Sequence, residues 1–217
     1  MGAIARAAAN NITTSGVFTS SAITNSSVTG ITVLANASDG ITFISSQTAS
    51  NSASISFTSG LTSTYKAYKF VFSNIYHRTD GDEFTFNYST DGGSNYNVTK
   101  TSTHFGAREQ ESDAYNELVY YASNDLAQGT GFQSLSVDSD SQSDSSLNGS
   151  LTLFNPSSTT YVKHWLSVTN TVGDGGTNYS WNIFTAGYGN TTSAVNAIQF
   201  KMQSGNFDGT IYLYGIK

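Results

Sequence analysis

The chain has 217 residues, of which 37% are hydrophobic and only 11% charged, less than half the roughly 25% charge of an ordinary globular domain. Asp and Glu total 15 against 9 Lys and Arg, a formal net charge of −6 that repels phosphate backbones and anionic lipid, so neither nucleic-acid binding nor membrane insertion is expected. Cysteine is absent, which removes disulfides, thiolate metal sites and a cysteine nucleophile together.

Neutral polar residues take the place of the missing charges, and 13 Tyr and 13 Phe supply bulk. That mixture suits pleated sheets with aromatic cores better than helices, and its aromatic content argues against disorder. Residues 1–6 carry a positive charge with no apolar run behind them, so no secretory signal is expected. Arg6 stands where a myristoylation motif starting at Gly2 needs Ser or Thr. No stretch reads as a transmembrane helix.

Residues 1–58 are rich in Ala, Ser, Thr and Asn, without Tyr or Trp and with Phe only at Phe18, Phe43 and Phe57. Short β-like runs occur at residues 12–18, 30–34 and 40–44, each too poor in apolar side chains to build a core. The segment reads as an extended N-terminal arm that gains order on a partner, with Ile4, Arg6, Ile12, Val17 and Phe18 as its docking residues.

Alternation takes over from Leu61. Tyr68, Phe70, Phe72 and Tyr76 share one face, Phe84, Phe86 and Tyr88 repeat the stripe, and Ile198, Phe200 and Met202 alternate with Gln199 and Lys201. Ile211 and Leu213 alternate with Tyr212 and Tyr214. This period of two is the mark of half-buried strands. Further runs lie at residues 96–105, 117–122, 132–137, 147–154, 161–168 and 179–188, and residues 113–118 could hold a helical turn. Turn chemistry separates them: Asp80-Gly81, Asp91-Gly92-Gly93, Asn148-Gly149, Asn155-Pro156, Asp174-Gly175-Gly176 and Asp208-Gly209. The pattern predicts an all-β antiparallel sandwich over residues 59–217, a jelly roll with extra strands in preference to an immunoglobulin-type sandwich.

Motifs for catalysis are sparse. There is no Gly-x-Ser-x-Gly elbow, and the histidines are scattered at His77, His104 and His164. His77 falls in a polar strand-end loop and reads as solvated. His164 shares a face with Val162, Leu166 and Val168 and reads as a core or interface residue. The carboxylates Asp80, Asp82 and Glu83, or Glu109, Glu111 and Asp113, could supply a glycoside-hydrolysing pair. With Trp only at Trp165 and Trp181, however, aromatic platforms for sugar are few. The run Asp138-Ser-Asp140-Ser-Gln-Ser-Asp144 offers oxygens of the kind Ca²⁺ takes, but lacks the glycine and terminal Glu of an EF-hand loop and reads as a solvated loop. No catalytic residue, metal or other cofactor is expected. The 8 Asn-x-Ser/Thr sequons carry no signal in a chain of this composition.

Tyr120-Tyr121 and the Tyr212/Tyr214 pair are expected to put rings on both sheet faces, where they suit a subunit interface better than a sugar site. If a glycan is bound, the loops carrying Tyr76, His77, Arg78, Asp80 and Asp82, or Tyr188 and Asn190, are the expected ligand-facing positions.

The stretches Phe86-Asn-Tyr-Ser-Thr-Asp-Gly-Gly-Ser-Asn-Tyr96, Phe154-Asn-Pro-Ser-Ser-Thr-Thr-Tyr161 and Ala186-Gly-Tyr-Gly-Asn-Thr-Thr-Ser-Ala-Val-Asn-Ala-Ile-Gln-Phe200 resemble a module of tailed, especially marine, bacteriophages. The ending Ser204-Gly-Asn-Phe-Asp-Gly-Thr-Ile-Tyr-Leu-Tyr-Gly-Ile-Lys217 resembles it most. The resemblance covers about residues 60–217 and leaves the N-terminal part unmatched. It implies a jelly-roll-like virion surface protein, assembled in the host cytoplasm, often homotrimeric and docked on other capsid or tail proteins by its N-terminal portion. Head decorations, fibre tips and tail appendages all use such modules. The absence of a repetitive shaft favours a capsid decoration or short appendage. A tail fibre tip that recognises host surface glycan is the alternative, and a glycan depolymerase ranks third.

Overall fold

A computed structural model describes residues 40–173 and 178–217. The elements are β1 (Ile41–Ser52), β2 (Ile55–Phe57), β3 (Ala67–His77), β4 (Phe84–Ser89), β5 (Lys100–Gln110), β6 (Asn116–Tyr120), β7 (Gln133–Ser134), β8 (Leu147–Phe154), β9 (Lys163–Gly173), β10 (Tyr179–Gly189), β11 (Ala197–Met202) and β12 (Phe207–Ile216). All pairings are antiparallel. One sheet runs β1-β12-β3-β8-β9-β10-β5-β6 and the other β2-β11-β4-β7.

With β5, β6, β9 and β10 set aside, β1-β12-β3-β8 faces β2-β11-β4-β7. Successive strands cross from sheet to sheet, except that β4 pairs with β7 in the same sheet. This double winding is a jelly roll, as the alternation and spacing of turns predict. Two insertions lengthen it on one side. The β5-β6 hairpin enters between β4 and β7, the β9-β10 hairpin enters between β8 and β11, and both add to the large sheet beyond β8.

The core lies between the two sheets because the aromatic stripes fall on their inner faces. Phe200 of β11 sits at its centre, with ring centroids 5.3 Å from both Phe70 and Phe72, 5.8 Å from Phe84 in a stacked arrangement, 6.3 Å from Phe86 and 6.4 Å from Phe57. Trp165 of β9 reaches under Phe86 at 4.9 Å. A smaller cluster of Val137, Trp181 and Ile183, with Tyr121 and Tyr179 against it, fills the inner side of the β5-β10 extension.

Several sequence expectations change. The expected arm spans residues 1–58, but β1 pairs with β12 from Ile41↔Ile216 to Ser52↔Phe207, and β2 pairs with β11. Residues 41–57 therefore belong to the sandwich, because backbone pairing on an existing edge needs few apolar side chains. The proposed docking residues Ile4, Arg6, Ile12, Val17 and Phe18 lie outside the described residues, as do the runs at 12–18 and 30–34 and the Asp174-Gly175-Gly176 turn. Asn148-Gly149 and Asp208-Gly209 are not turns but lie inside β8 and β12. Gly209, at φ 126°, marks a bulge where the β12–β3 register slips, and a Cβ there would come within 2.6 Å of the Asn74 carbonyl oxygen. Tyr212 and Tyr214, two residues apart, share one outward face, while Ile211 and Leu213 point inward.

Because Phe200 joins strands of both sheets, Phe200→Ala is expected to destabilise the fold by about 3–5 kcal/mol, whereas truncating the exposed Tyr161 costs under about 0.5 kcal/mol. Urea unfolding of the two variants checks the difference.

Candidate functional site

The outer face of the large sheet follows from strand alternation in an unusual sense. In β9 the inward set is Trp165, Ser167, Thr169 and Thr171, and the outward set is His164, Leu166, Val168 and Asn170. The small hydroxyls face inward because they bond to backbone: Ser167 donates to the Ser150 carbonyl and Thr169 to the Leu135 carbonyl. His164 does share a face with Leu166 and Val168, but that face is exposed, so of the two expected placements, core or interface, the core one is corrected. Its ring lies 6.0 Å from that of Tyr188.

Cross-strand register assembles these residues into rows. One runs Ser46, Tyr212, Val71, Ser150, Val168, Phe184, Phe105, Tyr120 across all eight strands. The row on one side is Phe43, Tyr214, Lys69, Thr152, Leu166, Ala186, Thr103, and on the other Asn148, Asn170, Asn182, Ala107, Leu118. Lys69 is the one charged side chain in the three rows. Phe105 and Phe184 stack at 5.4 Å with an interplanar angle of 11°. A shallow groove of about 420 Å³ runs beside them, walled by Phe154, His164, Leu166 and Tyr188 with Thr101 and Thr103. The close packing of β10 on β5 beneath it needs Gly187, where a Cβ would meet the Thr101 carbonyl oxygen at 2.4 Å and Trp165 at 2.9 Å.

The inner side of the same extension is covered. Tyr121 N–H donates to the His104 carbonyl and Leu126 N–H to the Ser102 hydroxyl. Asn124 donates to Glu83 at 2.6 Å, and Ser134 also donates to Glu83. Tyr120 turns outward, its hydroxyl 2.5 Å from Asp125, and Tyr121 turns inward onto Trp181 at 6.0 Å. The adjacent pair thus does place rings on both faces.

The two proposed ligand loops lie at opposite ends of the sheet. Asp82 pairs with Ser139, which pairs with Gly173 at one end of β9, whereas Tyr188 and Asn190 lie at the other end of β10. The first loop is braced. Tyr76 donates to the Ser141 carbonyl at 2.7 Å, Arg78 pairs with Asp208 at 2.6 Å, and Asp80 accepts from Ser141 N–H at 3.3 Å. Asp82 is buried and accepts the N–H groups of Glu83 and Ser204, while burial raises its pKa. His77 is not solvated: it ends β3 inside the protein, neither ring nitrogen has a partner, and burial lowers its pKa to about 4. Tyr188 lines the groove, and Asn190 donates to Gln128 at 2.9 Å.

In the acidic run, Asp140 is buried rather than solvated and accepts from Gln142 N–H and Ser145 Oγ, while Asp144 is exposed. Among the described residues no group of three or more His, Asp or Glu is placed to hold a metal ion.

Two lysines that sequence reasoning passed over are fully buried. Lys100 Nζ donates to Asn87 Oδ1 at 2.7 Å and to the Val98 carbonyl at 2.9 Å, and burial lowers its pKa to about 7. Lys163 Nζ donates to the Tyr161 carbonyl at 2.6 Å and faces those of Thr191 and Thr192, with its pKa also lowered by burial. His104 bonds Thr185 through Nδ1, and burial holds it at about 4 against the opposing pull of the Ser134 carbonyl and Asp125. The two lysines and His104 Nδ1 are committed to internal partners, while His104 Nε2 is buried without one. Phe105, Leu118 and Phe184 on the outer face were missed, and Leu166 and Val168, read as one apolar face with His164, gave no sign of which side they face.

Comparison of the chain with protein-family models, curated proteins and solved structures finds no match.

The buried imidazoles set an acid limit. His77 and His104 fall from 6.5 to about 4 on folding, so between those values the unfolded chain binds protons that the folded chain refuses. Their stability contribution is complete above pH 6.5 and is lost as pH falls toward 4, by about 2.5 kcal/mol per histidine at pH 4.5. Urea midpoints at pH 7 and 4.5 measure the loss, and His77→Leu is expected to remove about half of it.

Proposed function

We propose that this chain is a non-enzymatic structural protein of a bacteriophage particle, carried on the particle surface as a capsid decoration or short appendage. The observation that carries the reading is the outer face of the large sheet: Leu166, Val168, Phe184, Phe105 and Leu118 stand in register in three rows that contain one charged residue. An apolar field on a flat sheet suits contact with protein neighbours. The interior supports the same reading, since Lys100, Lys163, Asp82 and Glu83 spend their polar atoms on backbone and neighbouring side chains. The resemblance of residues 60–217 to phage virion modules supplies the particle context. Attachment in this reading falls to the chain ahead of β1. Gold-labelled antibody against the purified protein is expected to decorate intact particles from a lysate. Bare particles whose disrupted proteins include none of this chain would refute the assignment.

A second reading, a receptor-binding adhesin for host surface glycan, is favoured by the groove, where the Tyr188 and His164 rings stand beside Thr101 and Thr103 hydroxyls. Aromatic faces with adjacent hydroxyls suit a sugar ring. On that reading a glycan array gives hits that Tyr188→Ala weakens at least about tenfold, the loss of about 1.4 kcal/mol. An array without hits removes it.

A further inference from the structure

We infer that the outer face of β9, β10 and β5 is the contact surface for a second copy of this chain, packed sheet on sheet about a two-fold axis. The inference rests on the structural-subunit reading and names one of its partners. With Leu118 77%, Leu166 54%, Tyr120 51%, Val168 44%, Phe105 40% and Phe184 37% exposed, the apolar field is on the order of 600 Å², at the top of what monomers leave in water. The Ser, Thr, Asn and Ala residues between them extend the uncharged field toward the roughly 800 Å² per partner that a stable complex buries.

Charge selects the occupant. Two copies of a chain of net charge −6 repel each other, and the acidic clusters at 80–83, 109–113 and 138–144 make most approaches costly. The three rows contain no carboxylate, so face-to-face contact through them keeps the clusters at 80–83 and 138–144 out of the contact and leaves Glu109, one row beyond Ala107, at its edge. A basic partner would find acids only at the border, at Glu109 and at Asp125 beside Tyr120, and none within the three rows. An anionic lipid surface would find only Lys69.

The face also matches itself. A two-fold axis lying between the sheets and along β10 places β10 over its equivalent and β9 over β5 of the other copy. Val168 and Leu166 then meet the Phe105 and Thr103 side, apolar against apolar, at the ordinary ~10 Å separation of stacked sheets. Lys69, on β3, stays at the rim and keeps its hydration. This geometry builds a dimer rather than the trimer that the phage resemblance implies.

Sedimentation of the full-length chain from micromolar to about 100 µM tests it. The expected result is a dimer, tightened by ammonium sulfate as apolar contacts are, with Phe184→Asp and Leu166→Asp each raising the dissociation constant on the order of 100-fold. Both variants should keep a strand-dominated circular dichroism spectrum. Leu166 is the more exposed of the two, so it decides the matter if Phe184→Asp fails to fold. A monomer, a trimer, or a dimer indifferent to Leu166→Asp overturns the proposal. If the chain is monomeric while antibody still labels intact particles, the copy-to-copy contact is lost and the structural-subunit reading stands.

Discussion

Six phenylalanines hold the two sheets of this protein together, and Phe200 is the one that touches all the others. Phe70 and Phe72 come from the large sheet, and Phe57, Phe84 and Phe86 join Phe200 from the small one. Their edge-to-face and stacked contacts contribute about 0.5–1.5 kcal/mol each beyond the burial of area. Tyr68, Leu147, Leu151, Leu153, Phe207, Ile211 and Leu213 pack around them in the same core. The contact of Phe86 with Trp165 carries the same packing out to β9, so the extension is fixed to the jelly roll by its own core.

The extension creates the asymmetry on which the functional reading rests. The small sheet covers the jelly-roll half of the large sheet. Beyond β8 the inner face is closed instead by the chain between β6 and β8, held with polar contacts such as Gln133 Nε2 to the Asn124 carbonyl at 2.7 Å. Nothing equivalent covers the outer face among the described residues. The Ser167 and Thr169 hydroxyls and the His104 imidazole point in, toward backbone and side-chain partners, and Leu166, Val168, Phe105 and Phe184 point out. That reversal is costly for an isolated domain and useful for one that meets neighbours.

The buried cations follow from the same economy of charge. Lys100 is held by one amide oxygen and one carbonyl, and Lys163 by carbonyls alone. Carbonyl dipoles can anchor a chain terminus or loop where acids are scarce, at the cost of a depressed pKa. Both lysines begin strands of the extension, at the end where the groove opens.

Sequence by itself determined the all-β class, the sandwich, the aromatic inner stripes of β4, of β11 and of β3 as far as Phe72, and most strand positions, because period-two alternation of large side chains is a local property. Tyr76, read on the same face as Phe72, lies on the other side because the strand bulges at Asn74. It missed β2 and most of β1, whose residues are small and polar and become strands only by pairing with β11 and β12. It also read Asn148-Gly149 and Asp208-Gly209 as turns, since turn chemistry and bulge chemistry use the same residues. Which face of β9 and β10 is buried was decided by tertiary structure alone. Alternation supplies two sets, Trp165 to Thr171 and His164 to Asn170, and only the loop that lies on one side of the sheet chooses between them. The same holds for His77, Lys100 and Asp82, whose burial comes from strands and loops far away in the chain.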